Sequence, residues 1–117
     1  MLIDKKPWGE ERIWANTENY AAKILIINPG HRLSFQYHNK KEETIYVESG
    51  TLTITYECIH TGEKKTVEMS EGGSFHVPPG TKHRFSCSSE SVNPVRLFEV
   101  STPELSDIVR IEDDYGR

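Results

Sequence analysis

Short apolar runs separated by turn residues are the feature of this sequence that most restricts its fold. Runs rich in Val, Ile, Thr, Tyr and Phe recur along the chain, and clusters of Gly, Pro, Asn or Ser separate them. This pattern is typical of many short antiparallel strands. The runs predict strands over residues 11–15, 21–27, 32–38, 44–48, 51–59, 65–69, 74–77, 83–87, 95–100 and 108–111.

An all-β chain of this size has to protect the edges of its sheets. With 117 residues and 13.4 kDa, it is expected to form one domain over residues 1–117. Closure into a small jelly-roll β-barrel or sandwich hides the edge strands and leaves a tapered interior, where we expect the functional site. Residues 102–107 are the only segment expected to form a helical turn, because Pro103 follows Thr102.

Charge and composition exclude several kinds of partner. The chain has 18 acidic and 14 basic residues and no run of lysines or arginines, so we expect no nucleic-acid partner. Its longest apolar stretch, residues 24–27, is far shorter than the roughly 20 residues of a membrane span. The N-terminal sequence has no signal-peptide core, so we expect a cytoplasmic protein. Cys58 and Cys87 lack a paired spacing, which predicts no disulfide.

Four side chains offer atoms that bind metal ions. Gln36 and His38 are two residues apart in a predicted strand, so their side chains project to the same side. Glu43 follows five residues later, and His83 comes directly after a proline-glycine turn. One amide oxygen, two imidazoles and one carboxylate suit a divalent ion, with zinc first and manganese, cobalt, nickel or iron as alternatives. A lone histidine is more often an ordinary surface or core residue, so the joint pattern carries the prediction.

Two glycine-bounded segments contain these four residues. Residues 30–50 read G-x5-Q-x-H-x4-E-x6-G, and residues 72–83 read G-x5-P-x-G-x-x-H. This spacing resembles the two motifs of the cupin family, although Cys87 stands where an asparagine is often found. The resemblance implies a small β-barrel in which Gln36, His38, Glu43 and His83 hold a metal ion.

Three segments, two of them near the ends of the chain, resemble a narrower group within the cupin family. They are P-W-G at 7–9, P-G-H-R-L-S-F-Q-Y-H at 29–38 and I-V-R-I-E-D-D-Y-G-R at 108–117. Together they resemble the mannose-6-phosphate isomerase cupin domain of bifunctional phosphomannose isomerase and mannose-1-phosphate guanylyltransferase enzymes. The resemblance implies a metal-dependent isomerase that interconverts mannose 6-phosphate and fructose 6-phosphate. The sequence differs from the pattern of those enzymes at Thr44, at 39–41 and at 99–103. These differences bear on the identity of the substrate more than on the fold.

An aldose-ketose isomerase needs groups that bind phosphate and groups that move a proton. Strand alternation places Arg32 and Ser34 on the same inward face as Gln36 and His38. Arg32, Ser34 and Lys41 are the predicted substrate-binding residues, because two cations and a hydroxyl can bind a phosphate dianion. A solvated rim or an internal ion pair is the alternative for the two cations. Glu99 and Lys41 are the predicted catalytic residues, although alternation does not decide whether Glu99 faces inward or lies on the surface.

Other functions fit the same residues. A non-catalytic cupin that binds a sugar or a sugar nucleotide is one alternative, and another metal cupin enzyme such as a sugar epimerase or an oxygenase is a second. Iron oxygenases usually prefer more histidines than this set provides, which counts against that option. In either case the expected partners are a small sugar phosphate and a second copy of the chain, because homodimerisation hides edge strands.

Overall fold

The computed structural model describes residues 1–117, and β-strands make up all of its regular secondary structure. The prediction of an all-β fold is confirmed. No helix is present that could cross a membrane. The strands, in chain order, are β1 (Leu2–Lys6), β2 (Gly9–Asn16), β3 (Ala21–Ile27), β4 (Phe35–Tyr37), β5 (Glu43–Ser49), β6 (Leu52–Glu57), β7 (Lys64–Met69), β8 (Ser74–Val77), β9 (His83–Ser86), β10 (Val95–Ser101) and β11 (Val109–Glu112).

The strands form two antiparallel sheets that share one core. The first sheet has the order β1-β2-β3-β10-β5-β8, and the second has the order β11-β4-β9-β6-β7. Ile45 and Leu97 of the first sheet belong to the same buried cluster as Ile54 and Phe85 of the second. Burying these apolar side chains is the main stabilising contribution to such a fold. The shared core therefore gives the interior site a rigid frame.

Side-chain alternation places the inward residues as the sequence predicts. Glu43, Ile45 and Val47 of β5 are buried, while Tyr46 and Glu48 between them are exposed. In the second sheet the inward series His83, Phe85 and Cys87 is buried as well. Alternation on these strands therefore directs one histidine and one glutamate toward the interior.

Strand β1 is absent from the sequence prediction. Its sequence L-I-D-K-K has no apolar alternation, and every residue except Lys6 is exposed. It forms because it pairs antiparallel with β2 across a tight turn that ends at Gly9. Gly9 has a φ of +152°, and a β-carbon there would lie 1.9 Å from the carbonyl oxygen of Ile26. Only glycine fits this turn without moving the β3 backbone.

Two other segments differ from their predicted structure. Strand β4 covers only Phe35–Tyr37, whereas the sequence predicts a strand over 32–38, and Arg32 forms an isolated bridge to Ser86 instead. Residues 102–107 form turns rather than a helical turn. Hydrogen bonds to Glu42 explain this difference, because the Thr102 amide donates to the Glu42 carbonyl and the Thr102 hydroxyl accepts from the Glu42 amide.

Candidate metal centre and active site

Two imidazoles and one carboxylate meet in the interior. His38 follows β4, Glu43 begins β5 and His83 begins β9, and their ligand atoms all lie within 4.8 Å of one another. Glu43 Oε1 is 3.0 Å from His83 Nε2 and 3.6 Å from His38 Nε2. All three side chains are buried. The structure therefore brings three of the four predicted ligands into one triangle.

Hydrogen bonds to backbone carbonyls orient both histidines. His38 Nδ1 lies 2.6 Å from the Asp107 carbonyl oxygen, and His83 Nδ1 lies 2.8 Å from the Thr81 carbonyl oxygen. Because a carbonyl can only accept, each Nδ1 carries the proton and donates it. The Nε2 atoms then face Glu43. Histidines whose Nδ1 is held from behind by a carbonyl are the usual form of metal-binding histidines, so this donor set fits a divalent ion.

Gln36 lines the same cavity, as predicted, and its strand lies beside that of His83. Its amide nitrogen is 3.0 Å from the Ser34 hydroxyl and 3.4 Å from the Ser34 carbonyl oxygen. These contacts assign the nitrogen as donor and leave the amide oxygen available to the cavity. Gln36 is thus placed where a fourth ligand can act. Ser34 is buried behind it and orients it, and is not among the residues that line the cavity.

A lysine lies between two buried carboxylates beside the triangle. Lys41 Nζ is 3.1 Å from Glu99 Oε2 and 3.3 Å from Glu43 Oε2. All three side chains are at most 5% exposed. The orientation of Glu99, which alternation left undecided, is therefore inward. Both predicted catalytic residues, Glu99 and Lys41, line the cavity.

The pKa values of Glu99, Glu43 and Lys41 are shifted in different directions by their surroundings. Burial, followed by the negative charge of Glu43, raises the pKa of Glu99 to about 8. Burial also acts to raise the pKa of Glu43, but hydrogen bonds with His38 and His83 outweigh it and hold that pKa well below its usual range. Burial opposes the charge on Lys41, yet the two carboxylates outweigh it and raise its pKa. Near neutral pH, Glu43 is therefore ionised, Lys41 is charged and Glu99 retains its proton.

Four cations that the sequence did not single out also line the cavity, which has a volume of about 130 Å³. They are Lys6, Lys23, Arg110 and Arg117. Lys23 is ion-paired with Glu11, and Arg117 lies 3.1 Å from Asp113. Arg110 has no carboxylate within ion-pair distance, and it lies opposite Gln36 because β11 pairs with β4. This placement leaves Arg110 as the cavity arginine whose charge is free for a ligand.

The predicted inward position of Arg32 is wrong. Its guanidinium donates to both carboxylate oxygens of Asp114, at 2.7 and 2.9 Å, and its side chain is 48% exposed. It is absent from the lining of the cavity that holds Gln36 and His38. Alternation failed because regular strand geometry begins only at Phe35, so the inward direction of Gln36 does not extend back to residue 32.

Asp107 is a residue at this site that sequence reasoning missed. Its carboxylate accepts hydrogen bonds from the backbone amides of Asn39, Lys40 and Lys41, at 2.7 to 3.0 Å. These bonds lower the pKa of Asp107 to about 2. Its own carbonyl holds His38, as described above. One residue therefore positions the loop that carries both a candidate ligand and Lys41.

We expect Asp107→Ala to weaken metal binding by roughly 10-fold, because the lost carboxylate fixes the loop between His38 and Glu43, and outer partners of a metal site typically contribute this much. The loop over residues 39–41 would lose three hydrogen bonds, and Lys41 would lose its fixed position. Competition titration with a chromogenic chelator measures the affinity. Asp114→Ala is the matched control, since it removes an aspartate that binds Arg32 outside the cavity. Equal affinities in the two variants would contradict the positioning role.

The fold and this interior site define an all-β protein with a candidate metal centre between its sheets. The cupin domain family matches residues 23–101, and the chain belongs to that family. The resemblance seen in its two glycine-bounded motifs is therefore confirmed.

Curated relatives match almost the whole chain. Mannose-1-phosphate guanylyltransferase ManC of Salmonella typhimurium is 34% identical over 115 residues, and alginate biosynthesis protein AlgA of Pseudomonas aeruginosa is 31% identical over 115 residues. Each alignment covers 96% of this chain and 22% of the relative. The chain thus spans about a fifth of the length of these relatives. The name of ManC, a mannose-1-phosphate guanylyltransferase, agrees with the group of enzymes that the end segments resemble.

Solved structures show the same fold at lower identity. Oxalate decarboxylase from Bacillus subtilis has a TM-score of 0.81 and 17% identity, over 94% of this chain and 30% of that one. KdgF from Halomonas sp. has a TM-score of 0.69 and 22% identity, over 86% of this chain and 84% of that one. At such identities the likeness establishes the fold alone.

Proposed function

We propose that this protein is a metal-dependent isomerase that interconverts an aldose phosphate and a ketose phosphate, with mannose 6-phosphate and fructose 6-phosphate as the pair. The observation that supports this most directly is the buried pair of Glu99 and Lys41 beside the histidine-glutamate triangle, in one cavity. The relatives named for mannose 1-phosphate support a mannose phosphate as the substrate class.

The metal site in this proposal comprises Gln36, His38, Glu43 and His83. A bound divalent ion, with zinc as the leading candidate, would supply positive charge that stabilises negative charge developing on the sugar oxygens at C1 and C2. One carboxylate and three neutral ligands would leave that charge only partly neutralised. The residues of the chain then have to move the proton and hold the phosphate.

Glu99 is the proposed proton carrier. In the aldose-to-ketose direction its ionised carboxylate takes the proton from C2 of the open-chain aldose and returns it to C1, while the hydroxyl proton on O2 passes to O1, so the carboxylate is restored at the end. A pKa of about 8 suits this work, because a general base is most effective when its pKa lies near the working pH. Lys41 holds the Glu99 carboxyl in place through its 3.1 Å contact. It also compensates the negative charge when Glu99 is ionised.

The phosphate site in this proposal is the cationic side of the cavity. Arg110 has no carboxylate partner, and Lys6 and Arg117 line the same space. Guanidinium groups bind phosphate through paired, charge-assisted hydrogen bonds. These residues take the place of Arg32 as the proposed phosphate ligands, because Arg32 is ion-paired with Asp114 outside the cavity.

A non-catalytic cupin that binds a sugar phosphate is the second candidate. One observation favours it: Lys41 already pairs with both Glu43 and Glu99, and ion networks with purely structural roles also have buried partners and shifted pKa values. In that case the cavity would bind the sugar without proton transfer.

Solvent isotope exchange separates the two candidates. The zinc-loaded protein is incubated with mannose 6-phosphate in deuterated water, and the sugars are followed by NMR. The proposal expects deuterium at C2 of mannose 6-phosphate and the appearance of fructose 6-phosphate. Glu99→Gln is the matched control, which should bind the sugar and exchange no proton. If the wild type binds mannose 6-phosphate but neither label nor ketose appears, the binding cupin is the correct function.

A further inference from the structure

One charged pair in the cavity has no role in the proposed isomerisation. Lys23 of β3 is ion-paired with Glu11 of β2, and both residues line the cavity. Their side chains are only 10% and 13% exposed. Three carboxylates line this cavity, those of Glu11, Glu43 and Glu99. Because Glu43 belongs to the metal triangle and Glu99 to the proposed proton transfer, Glu11 is the remaining base.

The pair lies beside the residue that would act on C1 and C2 of the sugar. Lys23 is the cross-strand neighbour of Glu99, because β3 pairs with β10. Neighbouring strands lie about 4.8 Å apart, so one strand spacing separates the two residues. Strand β2, which carries Glu11, flanks β3 on the side away from β10. A sugar ring is about as wide as one strand spacing, so a sugar with C1 at Glu99 extends to Lys23 and Glu11.

The surroundings of the pair favour proton exchange within it. Leu25 is the cross-strand neighbour of Glu11, and both Leu25 and Trp8 line the cavity and belong to the buried apolar cluster. An ion pair in apolar surroundings loses the hydration that stabilises its charges, so the neutral pair comes closer to it in energy. The Lys23 ammonium donates a hydrogen bond directly to the Glu11 carboxylate. A proton can therefore pass between them without a water molecule.

The proposed isomerisation needs a step that such a pair can perform. Aldose phosphates exist in water mainly as closed rings, whereas Glu99 would act on the open chain. Opening the ring requires a base at the O1 hydroxyl and an acid at the ring oxygen O5. A carboxylate and an ammonium group side by side provide both.

We propose that Glu11 and Lys23 give this protein a second activity, the opening and closing of the pyranose ring of an aldose phosphate. The Glu11 carboxylate takes the proton of the O1 hydroxyl, and the C1–O5 bond breaks with its electron pair going to O5. The Lys23 ammonium gives a proton to O5, which leaves an aldehyde at C1 and a hydroxyl at C5. The proton on Glu11 then passes to Lys23 through their hydrogen bond, so both groups are restored.

The reverse reaction makes this activity measurable by itself. Closure on either face of the aldehyde gives either anomer, so the protein should interconvert α- and β-mannose 6-phosphate. This activity rests on the proposed function for its substrate, and it does not require proton transfer by Glu99.

NMR exchange spectroscopy of mannose 6-phosphate labelled with carbon-13 at C1 measures the interconversion of the anomers. The zinc-loaded full chain carries Glu99→Gln, which prevents isomerisation, and it should accelerate the interconversion over buffer. Adding Glu11→Gln should lower the protein-dependent rate by roughly 100-fold, a contribution typical of acid-base catalysis. Adding Glu10→Gln instead is the matched control. Glu10 lies next to Glu11 but pairs with Lys5 and Arg12 and does not line the cavity, so the rate should not change.

Lys23→Arg separates the proposed acid from a purely structural ion pair. Arginine keeps the positive charge beside Glu11 but releases a proton far less readily than lysine does. The proposal expects Lys23→Arg to lose the activity as Glu11→Gln does, whereas a structural role predicts an unchanged rate. Circular dichroism confirms that each variant is folded, and titration with mannose 6-phosphate confirms binding. A folded Glu11→Gln variant that binds the sugar and interconverts the anomers at the parent rate would overturn the proposal.

Ring opening and isomerisation can fail separately in these measurements. Faster anomer interconversion by the wild type without any ketose supports ring opening and contradicts the isomerase. Ketose formation by the wild type, with no faster interconversion by Glu99→Gln, supports the isomerase and overturns ring opening by Glu11 and Lys23. A protein that does not bind mannose 6-phosphate contradicts both.

Discussion

Replacing His83 with alanine should release the bound ion and lower turnover of mannose 6-phosphate by at least about 100-fold, since losing even an orienting partner of a ligand costs 10- to 100-fold in affinity or activity. His83 Nε2 is one of three ligand atoms in the buried triangle, and its removal leaves Glu43 with one imidazole fewer. Zinc affinity by competition titration and turnover of the zinc-reconstituted variant are the two measurements.

The matched control for His83 is His60→Ala. His60 is exposed in the loop between β6 and β7 and is not among the residues that line the cavity, so its loss should leave zinc affinity and turnover unchanged. A His83→Ala variant that retains wild-type zinc affinity would show that the triangle is not the metal site.

Lys41→Met should destabilise the metal-free protein by about 3 to 5 kcal/mol, the cost typical of breaking a buried ion pair by removing one partner. The substitution keeps most of the length of the side chain and leaves the ionised Glu43 carboxylate buried without its lysine partner. Urea unfolding of metal-free protein at pH 7 measures the effect. Lys40→Met is the matched control, because Lys40 is the preceding residue in the chain and its side chain is exposed.

The double variant Lys41→Met/Glu43→Gln identifies the cause of the lost stability. Because Glu99 retains its proton at pH 7, Glu43 is the charge that Lys41→Met leaves buried, and removing that charge should recover much of the stability that Lys41→Met loses. If the double variant is no more stable than Lys41→Met, charge burial is not the reason for the loss.

The pH dependence of the same unfolding measurement has a definite sign. The pKa of Glu99 is about 8 in the folded protein and 4.5 ordinarily, so the folded state binds the proton more tightly. The free energy of unfolding of the wild type should therefore fall as pH rises from about 4.5 to 8, by a few kcal/mol at most. Glu99→Gln should remove this dependence.

The candidate metal ligands and the all-β fold could be predicted from the sequence because the patterns that specify them are local. Gln36, His38 and Glu43 lie within eight residues, and strand alternation directs the first two to one side. His83 follows a proline-glycine turn whose spacing is itself recognisable. The positions of turn residues and apolar runs likewise predict most strands to within a few residues.

The remaining parts of the site depend on contacts that no local pattern encodes. Arg110 reaches the cavity because β11 pairs with β4, and nothing in either segment specifies that pairing. Asp107 looks like an ordinary surface aspartate until its loop meets residues 39–41. Arg32 was misplaced for the opposite reason, since alternation was extended beyond the residues that form the strand.

The distance along the chain between the partners that hold the site has a kinetic consequence. His38 and its carbonyl partner Asp107 are 69 residues apart, and Lys41 and Glu99 are 58 residues apart. Contacts between such distant segments form slowly, because the entropy of closing a long loop is lost before any contact is gained. The candidate ligands Gln36, His38, Glu43 and His83 all precede β10, whereas the groups that orient His38 and Lys41 arrive with β10 and the turn after it. We therefore expect the ability to bind an ion with native affinity to appear late in folding. The ion would then bind to the folded protein and would not direct its folding.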